Sequence, residues 1–308
     1  MTKLLDGGND AGRLNVVALA EGYTEAERLL FEQHAKQLAA VIKSEPWFRK
    51  NLLNLHAFFV PSRQSARTLK AKAGPLDTAF KAEYGQGTRA PHVISGNDLA
   101  AKAAARDGLH EAQWLLAPRH IIVLTNCTLY GGKGGGEGGG ICWTYTDKFN
   151  PQRWTACALH EWGHVLGLAD EYGGPRISFR IQEPKEPNVT LDRRGAKWRN
   201  LVQGAVEGAD GYDEGIYRPT RDCRMRSFAG GFCAVCADHI RRELEGYLSE
   251  EPEPEPEEPE PEEPEPGGGN KLNIQAIERS GNYRNNFFDD NSAGCMQAVQ
   301  WLLKRQFG

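Results

Sequence analysis

Residues 160–172 read HEWGHVLGLADEY, and this stretch decides the predicted fold around it. Residues four apart lie on the same face of an α-helix, so His160 and His164 can present two imidazole nitrogens to one zinc ion. Glu161 is predicted to be a general base that accepts a proton from zinc-bound water, rather than a ligand. The stretch therefore predicts a metal-binding helix that carries its own catalytic carboxylate.

The residues after the second histidine predict where this helix ends. Gly167 can adopt the left-handed backbone conformation that terminates a helix and reverses the chain. The turn would return Asp170 to the metal as a third, anionic ligand and leave the fourth position open, as a catalytic zinc site requires. Glu171 is expected beside the ligands rather than among them.

The flanking sequence predicts how the zinc-binding helix begins and where the folded body ends. Asn150 and Pro151 form a favourable N-cap and first-turn pair, so the helix should run over residues 151–166. Earlier in the chain, Thr24 and Glu27 form a capping box in front of another helix. A last amphipathic helix should close the body before residue 250.

Apolar runs between these helices predict the strands of one sheet. The predicted strands are residues 14–20, 53–60, 120–125 and 141–146. The last of them follows a glycine-rich segment, residues 131–140, which predicts a flexible loop. Because the strand at 141–146 is short and follows that loop, it is predicted to be an edge strand.

The chain resembles the bacterial IgA-peptidase family of metzincin-like zinc metallopeptidases over about residues 10–248. Besides the histidine motif, the resemblance rests on RLNVVALAEGYTEAE (13–27), HAFFVPS (56–62), VLTNCTLYGG (123–132) and YRPTRDCRMRSFAGGFCAVC (217–236). It implies an α/β (α+β) fold with a mixed twisted sheet, an antiparallel edge strand, an active-site helix and a Met-turn. Met225 would be the methionine of that turn.

The resemblance also implies an activity, which is endopeptidase cleavage of protein or peptide substrates with one catalytic Zn²⁺ ion. The substrate would lie antiparallel to the edge strand, along Ile141, Trp143 and Tyr145, by β-augmentation. The family is named for cleavage of immunoglobulin A, but nothing in these residues supports that substrate.

Two positions depart from the family pattern. The spacing HExxHxxGxxD is one residue shorter than is common in the family, which bears on Asp170 as the third ligand. Many metzincins place a tyrosine two positions after the methionine, where this chain has Ser227. Tyr217 is the candidate replacement as a catalytic hydrogen-bond donor, with an ordinary packing tyrosine as the alternative.

The seven cysteines leave several possibilities open. The spacing of Cys223, Cys233, Cys236 and His239 would suit a second, structural zinc ion, but a disulfide among the three cysteines or three packed thiols are alternatives. A further disulfide between the cysteines at positions 127 and 142 would close the glycine-rich loop.

The C-terminal part of the chain is predicted to be separate from the catalytic domain at residues 1–249. Residues 250–269 contain a Pro/Glu alternation and three glycines, which predict an extended linker. Residues 270–308 form a small segment of unknown role. It could bind a partner or a cell-wall component, dock on the body or self-associate.

Composition excludes some classes of protein. Nine of the 41 acidic residues lie at 251–266, and without them the formal charge would be +5 instead of −4. The remainder has no dense basic stripe with interleaved aromatic residues, so a nucleic-acid partner is not expected. No apolar run is long enough to span a membrane. The protein would be secreted or cell-surface if a signal peptide was removed, and otherwise cytoplasmic.

Two other functions compete with the peptidase. The first is a catalytically silent protein-binding or adhesion module on the same fold, against which the intact Glu161 argues. The second is a zinc amidase that acts on non-protein amides, because the bond that is cleaved depends on the shape of the groove.

Overall fold

The computed structural model describes residues 1–71, 74–85, 92–108, 119–135, 139–174, 176, 182–228 and 230–248. These residues lie within one compact unit, Met1–Glu253. The predicted linker at 250–269 and the predicted segment at 270–308 lie outside the described residues. In the part of the chain that is described, no helix has the length and apolarity needed to cross a membrane.

Six strands form a mixed sheet: β1 Thr2–Leu5, β2 Leu14–Glu21, β3 Leu53–Phe58, β6 Arg119–Thr125, β7 Gly132–Gly134 and β8 Ile141–Tyr145. Their order in the sheet is β1-β3-β2-β6-β8-β7. Strands β3, β2, β6 and β8 are parallel neighbours, whereas β1 and β7 run antiparallel at the two edges. Two two-stranded sheets accompany it: β4 Glu83–Tyr84 with β5 Ile94–Ser95, and β9 Val206–Ala209 with β10 Tyr212–Arg218.

The helices are α1 Arg28–Ser44, α2 Asp98–Gly108, α3 Pro151–Val165 and α4 Ala234–Glu245. Helices α1, α2 and α3 cover the sheet because its inner strands are apolar on both faces, and every residue of β2 is buried. Successive side chains of β8 show the two layers. Thr144 lies next to Cys157 of α3, whereas the Trp143 indole donates to Asp98 of α2 at 2.7 Å.

The local helix signals in the sequence are confirmed. Asn150 caps α3, with its side-chain oxygen accepting the Arg153 backbone N–H at 3.2 Å. Thr24 and Glu27 form the predicted capping box, although a short 3₁₀ turn separates it from α1. The predicted strands at 14–20, 53–60 and 120–125 correspond to β2, β3 and β6.

The prediction that residues 141–146 form an edge strand is wrong. β8 pairs with β6 on one side and with β7 on the other, so it is an inner strand. Part of the glycine-rich segment forms the antiparallel edge instead, as β7. This strand consists of Gly132, Lys133 and Gly134, and glycine is a weak strand former whose pairing depends on close tertiary packing.

The possible disulfide between Cys127 and Cys142 is not formed, because both are buried free cysteines. Cys142 lies at the start of β8, opposite Ile122. Cys127 lies past the other end, where its carbonyl accepts the Thr146 N–H at 3.2 Å. Four residues of strand separate these positions, or roughly 13 Å, which exceeds the reach of a disulfide.

Buried histidines make the stability of this fold depend on pH. His34 is completely buried, and its Nδ1 lies 2.7 Å from the Tyr23 hydroxyl. His120 is 8% exposed and its Nδ1 accepts the Trp162 indole N–H at 3.1 Å. Burial lowers the pKa of each imidazole to about 4.

We therefore expect acid to destabilise the protein between about pH 6.5 and pH 4. In this window the unfolded state binds protons that the folded state does not, so stability is full above about pH 6.5 and is lost as pH falls. Each histidine should contribute about 2 kcal/mol to the loss between pH 7 and pH 5. Urea unfolding at pH 7, 6 and 5 measures how the free energy of unfolding changes with pH. This pH dependence should be weaker in His34→Gln and unchanged in His92→Gln, where the histidine is exposed. The same pH dependence in the wild type and both variants would contradict the expectation.

Candidate active site

The two motif histidines project from the last two turns of α3. Their rings are nearly perpendicular, with centroids 4.8 Å apart, and the two Nε2 atoms are separated by 3.2 Å. His160 is buried and His164 is partly exposed. The helical spacing has therefore brought the two nitrogens to one point, as predicted.

Asp170 joins them through a turn at Gly167. Gly167 has a φ of +86°, and its N–H donates to the carbonyl of His164 at 3.1 Å as the helix ends. Oδ1 of Asp170 lies 3.2 Å from Nε2 of His160 and 3.2 Å from Nε2 of His164. Three ligand atoms thus form a triangle with equal sides, even with the shorter spacing of this chain.

The triangle has the dimensions of one face of a zinc tetrahedron. Ligands at 2.0–2.1 Å in tetrahedral geometry are separated by about 3.3–3.4 Å, close to the distances in this structure. Oδ1 of Asp170 is buried, and among the described residues its only polar neighbours are the two histidine Nε2 atoms. These three side chains could therefore hold a zinc ion and leave its fourth position open.

Hydrogen bonds at the other ring nitrogens determine which atoms can bind a metal. Nδ1 of His160 lies 3.0 Å from the carbonyl of Arg224, and Nδ1 of His164 lies 2.9 Å from that of Leu168. A carbonyl oxygen only accepts, so each Nδ1 must carry the hydrogen. In the neutral rings both Nε2 atoms then present lone pairs, which repel each other and Asp170 unless a positive charge lies between them.

The pKa values of His164 and Asp170 also indicate that this arrangement favours a positive charge. Burial alone would lower the pKa of His164, but the hydrogen bond and the charge of Asp170 raise it to about 9. Burial opposes ionisation of Asp170, yet hydrogen bonds from His160 and His164 hold its pKa well below the usual range.

Glu161 lies beside the triangle, with a carboxylate oxygen within 4.8 Å of the histidine nitrogens. Burial raises its pKa, while the charges of His160 and His164 and a backbone hydrogen bond from Gly134 lower it. The position next to the ligands and the raised pKa suit a group that takes up a proton during a reaction.

The glycines of β7 allow α3 to approach the sheet edge this closely. A Cβ on Gly132 would lie 2.6 Å from Cγ and from Oε1 of Glu161, and a Cβ on Gly134 would lie 2.5 Å from Cβ of His164. No real side chain fits at these distances. The glycine segment is thus the wall of the site next to Glu161.

A segment after β10 lies beneath the triangle. Met225 is completely buried, and its Sδ lies 2.7 Å from the position that a Cβ on Gly163 would occupy. Its carbonyl accepts the Glu171 N–H at 2.8 Å. The neighbouring Arg224 supplies the carbonyl for His160 and forms a buried ion pair with Glu45 at 2.5 Å.

Sequence reasoning missed Tyr172. Its hydroxyl donates to Oδ2 of Asp170 at 2.6 Å, and the side chain is 46% exposed beside the triangle. A hydrogen bond of this kind fixes the orientation of the Asp170 carboxylate beside the two histidines. The signal was its position two residues after Asp170, within the motif.

A groove passes the triangle and Glu161. Among the described residues, its two adjoining cavities share Gly132, His160, Glu161, Tyr172 and Val93. One cavity extends towards Tyr130, Arg226, Ser227 and Phe228, and the other towards Lys133, Asp170, Glu186 and Asp210. The groove therefore follows the edge strand β7.

Two sets of predicted site residues are not brought to this groove. The side chains of Ile141, Trp143 and Tyr145 are buried at 1–2% exposure on the inner strand β8, so they cannot form a free edge for a substrate. Tyr217 lies in β10, where its backbone pairs with Thr190; it is not among the described residues that line the groove.

Cys223, Cys233 and Cys236 are free and lie together, without a disulfide among them. His239, considered as their fourth partner, lies elsewhere: its Nε2 donates to the carbonyl of Leu166 at 2.7 Å. Glu171 takes that place, with Oε1 3.1 Å from Sγ of Cys236.

The family model described as IgA Peptidase M64 matches residues 2–204. That span contains β2, β3, β6, β8, α3 and the whole motif, whereas Met225 and the three cysteines lie beyond it. No curated protein matches the chain. Because the matched span exceeds half of the 308 residues and includes the site described above, the chain belongs to the IgA peptidase M64 family and is a peptidase.

Proposed function

We propose that this protein is a zinc-dependent endopeptidase whose metal ion is held by His160, His164 and Asp170. The observation that carries the proposal is the triangle of three lone-pair atoms with 3.2 Å sides. Both Nδ1 atoms are committed to carbonyls, so the triangle is preset for a cation. A bound zinc ion would supply a Lewis acid that polarises the scissile carbonyl and makes a water acidic near neutral pH.

In this proposal Glu161 is the general base. It takes a proton from the attacking water and returns it to the leaving amine, so no covalent intermediate with the enzyme forms. Burial raises its pKa, which strengthens the carboxylate as the acceptor of the proton from water. The β7 backbone next to it excludes solvent from one side and fixes the carboxylate.

Other residues position this machinery. Tyr172 orients Asp170 through its hydroxyl, and it replaces Tyr217 as the tyrosine assigned to the site. Met225 is the proposed Met-turn residue, because it packs against α3 at Gly163.

The substrate is proposed to be an extended peptide in the groove along β7. This strand, rather than β8, is the antiparallel edge next to the ligands. An extended peptide suits the groove because the groove continues on both sides of Glu161. A chain that passes the site in both directions is cleaved internally, as in an endopeptidase.

Glu161→Gln should lower kcat/KM for a denatured-protein substrate at least about 100-fold, because a positioned general base contributes that much or more. Zinc content should stay unchanged, since the carboxylate is not proposed as a ligand. The exposed Glu243→Gln is the matched control and should cleave normally. Unchanged cleavage by Glu161→Gln would contradict the proposed mechanism. If the wild-type protein cleaved small amides but no peptide, it would be an amidase.

Asp170→Asn should weaken zinc binding at this site at least about 100-fold, because even loss of an outer hydrogen bond costs 10–100-fold. Tyr172→Phe, which removes only the hydroxyl on Oδ2, should weaken binding by about 10–100-fold. Competition with a chromophoric chelator measures both. Asp107→Asn, an exposed surface change, is the control. Full zinc affinity in Asp170→Asn would point to another third ligand.

Gly132→Ala should lower kcat about 100-fold while zinc remains bound, because the new methyl group displaces the Glu161 carboxylate by about 1 Å. Gly74→Ala is the matched control, since a Cβ there meets nothing within 4 Å. Activity and zinc content are measured on the same samples. Normal kcat in Gly132→Ala would show that β7 does not position the base.

A further inference from the structure

A second cluster of metal-ligating side chains lies behind the candidate active site. Its members are Glu171, Cys223, Cys233 and Cys236, and their ligand atoms all lie within 4.8 Å of one another. Glu171, Cys223 and Cys236 are completely buried, and Cys233 is 8% exposed. Three separate segments of the chain converge here: the turn after α3, the loop after β10 and the start of α4.

Glu171 is the member that most requires a cation. Its Oε2 is buried and has no hydrogen-bond partner among the described residues, and burying a carboxylate in this way is costly. The other oxygen accepts from Asn188 at 3.1 Å and lies 3.1 Å from Sγ of Cys236. The backbone of Glu171 is fixed as well, since its N–H donates to Met225. The carboxylate is thus held facing the thiols.

The distances within the cluster are those of zinc coordination. Sulfur ligands at about 2.3 Å in a tetrahedron are about 3.8 Å apart, and Sγ of Cys223 lies 3.7 Å from Sγ of Cys236. A sulfur and an oxygen ligand would be separated by about 3.5 Å. The distances from Oε1 of Glu171 to Cys236 and Cys233, 3.1 and 3.9 Å, bracket that value.

The start of α4 favours negative charge at the cluster, whereas burial raises the pKa of the Cys236 thiol, so a thiolate there would require a cation. Cys233 is the N-cap of α4 and Cys236 is in its first turn, where the helix dipole stabilises negative charge. The backbone N–H of Cys233 donates to Sγ of Cys223 at 3.3 Å. The buried guanidiniums of Arg218 and Arg224 interact electrostatically with Glu171 and Cys223 respectively.

We propose that Cys223, Cys233, Cys236 and Glu171 form a second, structural zinc site. Four protein ligands close the coordination sphere, which distinguishes it from the three-ligand site at the histidines. This proposal does not depend on the proposed function, because the ligands are a separate set. It explains why Glu171 is oriented away from the histidines although it follows Asp170.

A zinc ion here would fix the floor of the histidine site. Glu171 belongs to the turn that contains Asp170, and Cys223 belongs to the segment that supplies the carbonyl of Arg224. A shared metal ion would link this turn and this segment to α4 through Cys233 and Cys236. The metal would thereby contribute folding free energy to a region that otherwise depends on packing.

Cobalt substitution tests the proposal, because Co²⁺ bound by thiolates has a near-ultraviolet charge-transfer absorption that histidine and carboxylate ligands do not produce. The probe is Co²⁺ added to the reduced, metal-free full-length protein. We expect two equivalents to bind and the thiolate absorption to be present. It should persist in the double variant His160→Ala/His164→Ala with one equivalent, which separates this site from the proposed function.

Cys236→Ser should lose the thiolate absorption and one equivalent of metal, whereas Cys157→Ser, a buried cysteine outside the cluster, should keep both. X-ray absorption of the zinc-loaded histidine double variant needs no cysteine change. It should show three sulfur neighbours at about 2.3 Å and one oxygen at about 2.0 Å. One equivalent of metal in the wild type without thiolate absorption would overturn the proposal, as would a disulfide between Cys223 and Cys236 that resists mild reduction.

Discussion

Two hydrogen bonds from histidine rings to backbone carbonyls are the constraint on which the candidate active site depends. They assign the hydrogen of each ring to Nδ1 and therefore direct the Nε2 lone pairs of His160 and His164 towards Asp170. The carbonyls belong to Leu168 and Arg224, which are far from each other in the chain. The site thus exists only when the turn after α3 and the segment after β10 are both packed against that helix.

The packing of these segments is reinforced from several directions. The buried ion pair between Arg224 and Glu45 connects the floor of the site to the end of α1. Met225 fills the space left by Gly163 on the helix above. The proposed zinc cluster would hold Glu171 next to the segment that contains Arg224 and Met225. Each contact limits movement of a carbonyl that orients a histidine, so the ligand geometry is set by long-range packing.

The other side of the site is defined by an absence of side chains. The β7 strand can border α3 closely only because Gly132 and Gly134 lack a Cβ. This approach places the backbone against Glu161 and leaves an edge strand along the groove. Membership of the IgA peptidase M64 family agrees with a peptide-sized groove of this kind.

The sequence by itself determined the features that depend on local periodicity and local capping. The spacing of His160 and His164, the Asn150 cap and the apolar strands were predicted correctly, because neighbours in the chain decide them. Only the tertiary structure decided that β7 is the edge, that Tyr172 contacts Asp170, and that Glu171 joins the cysteines in place of His239. These features depend on which distant segments pack together, and local sequence signals do not specify such pairings.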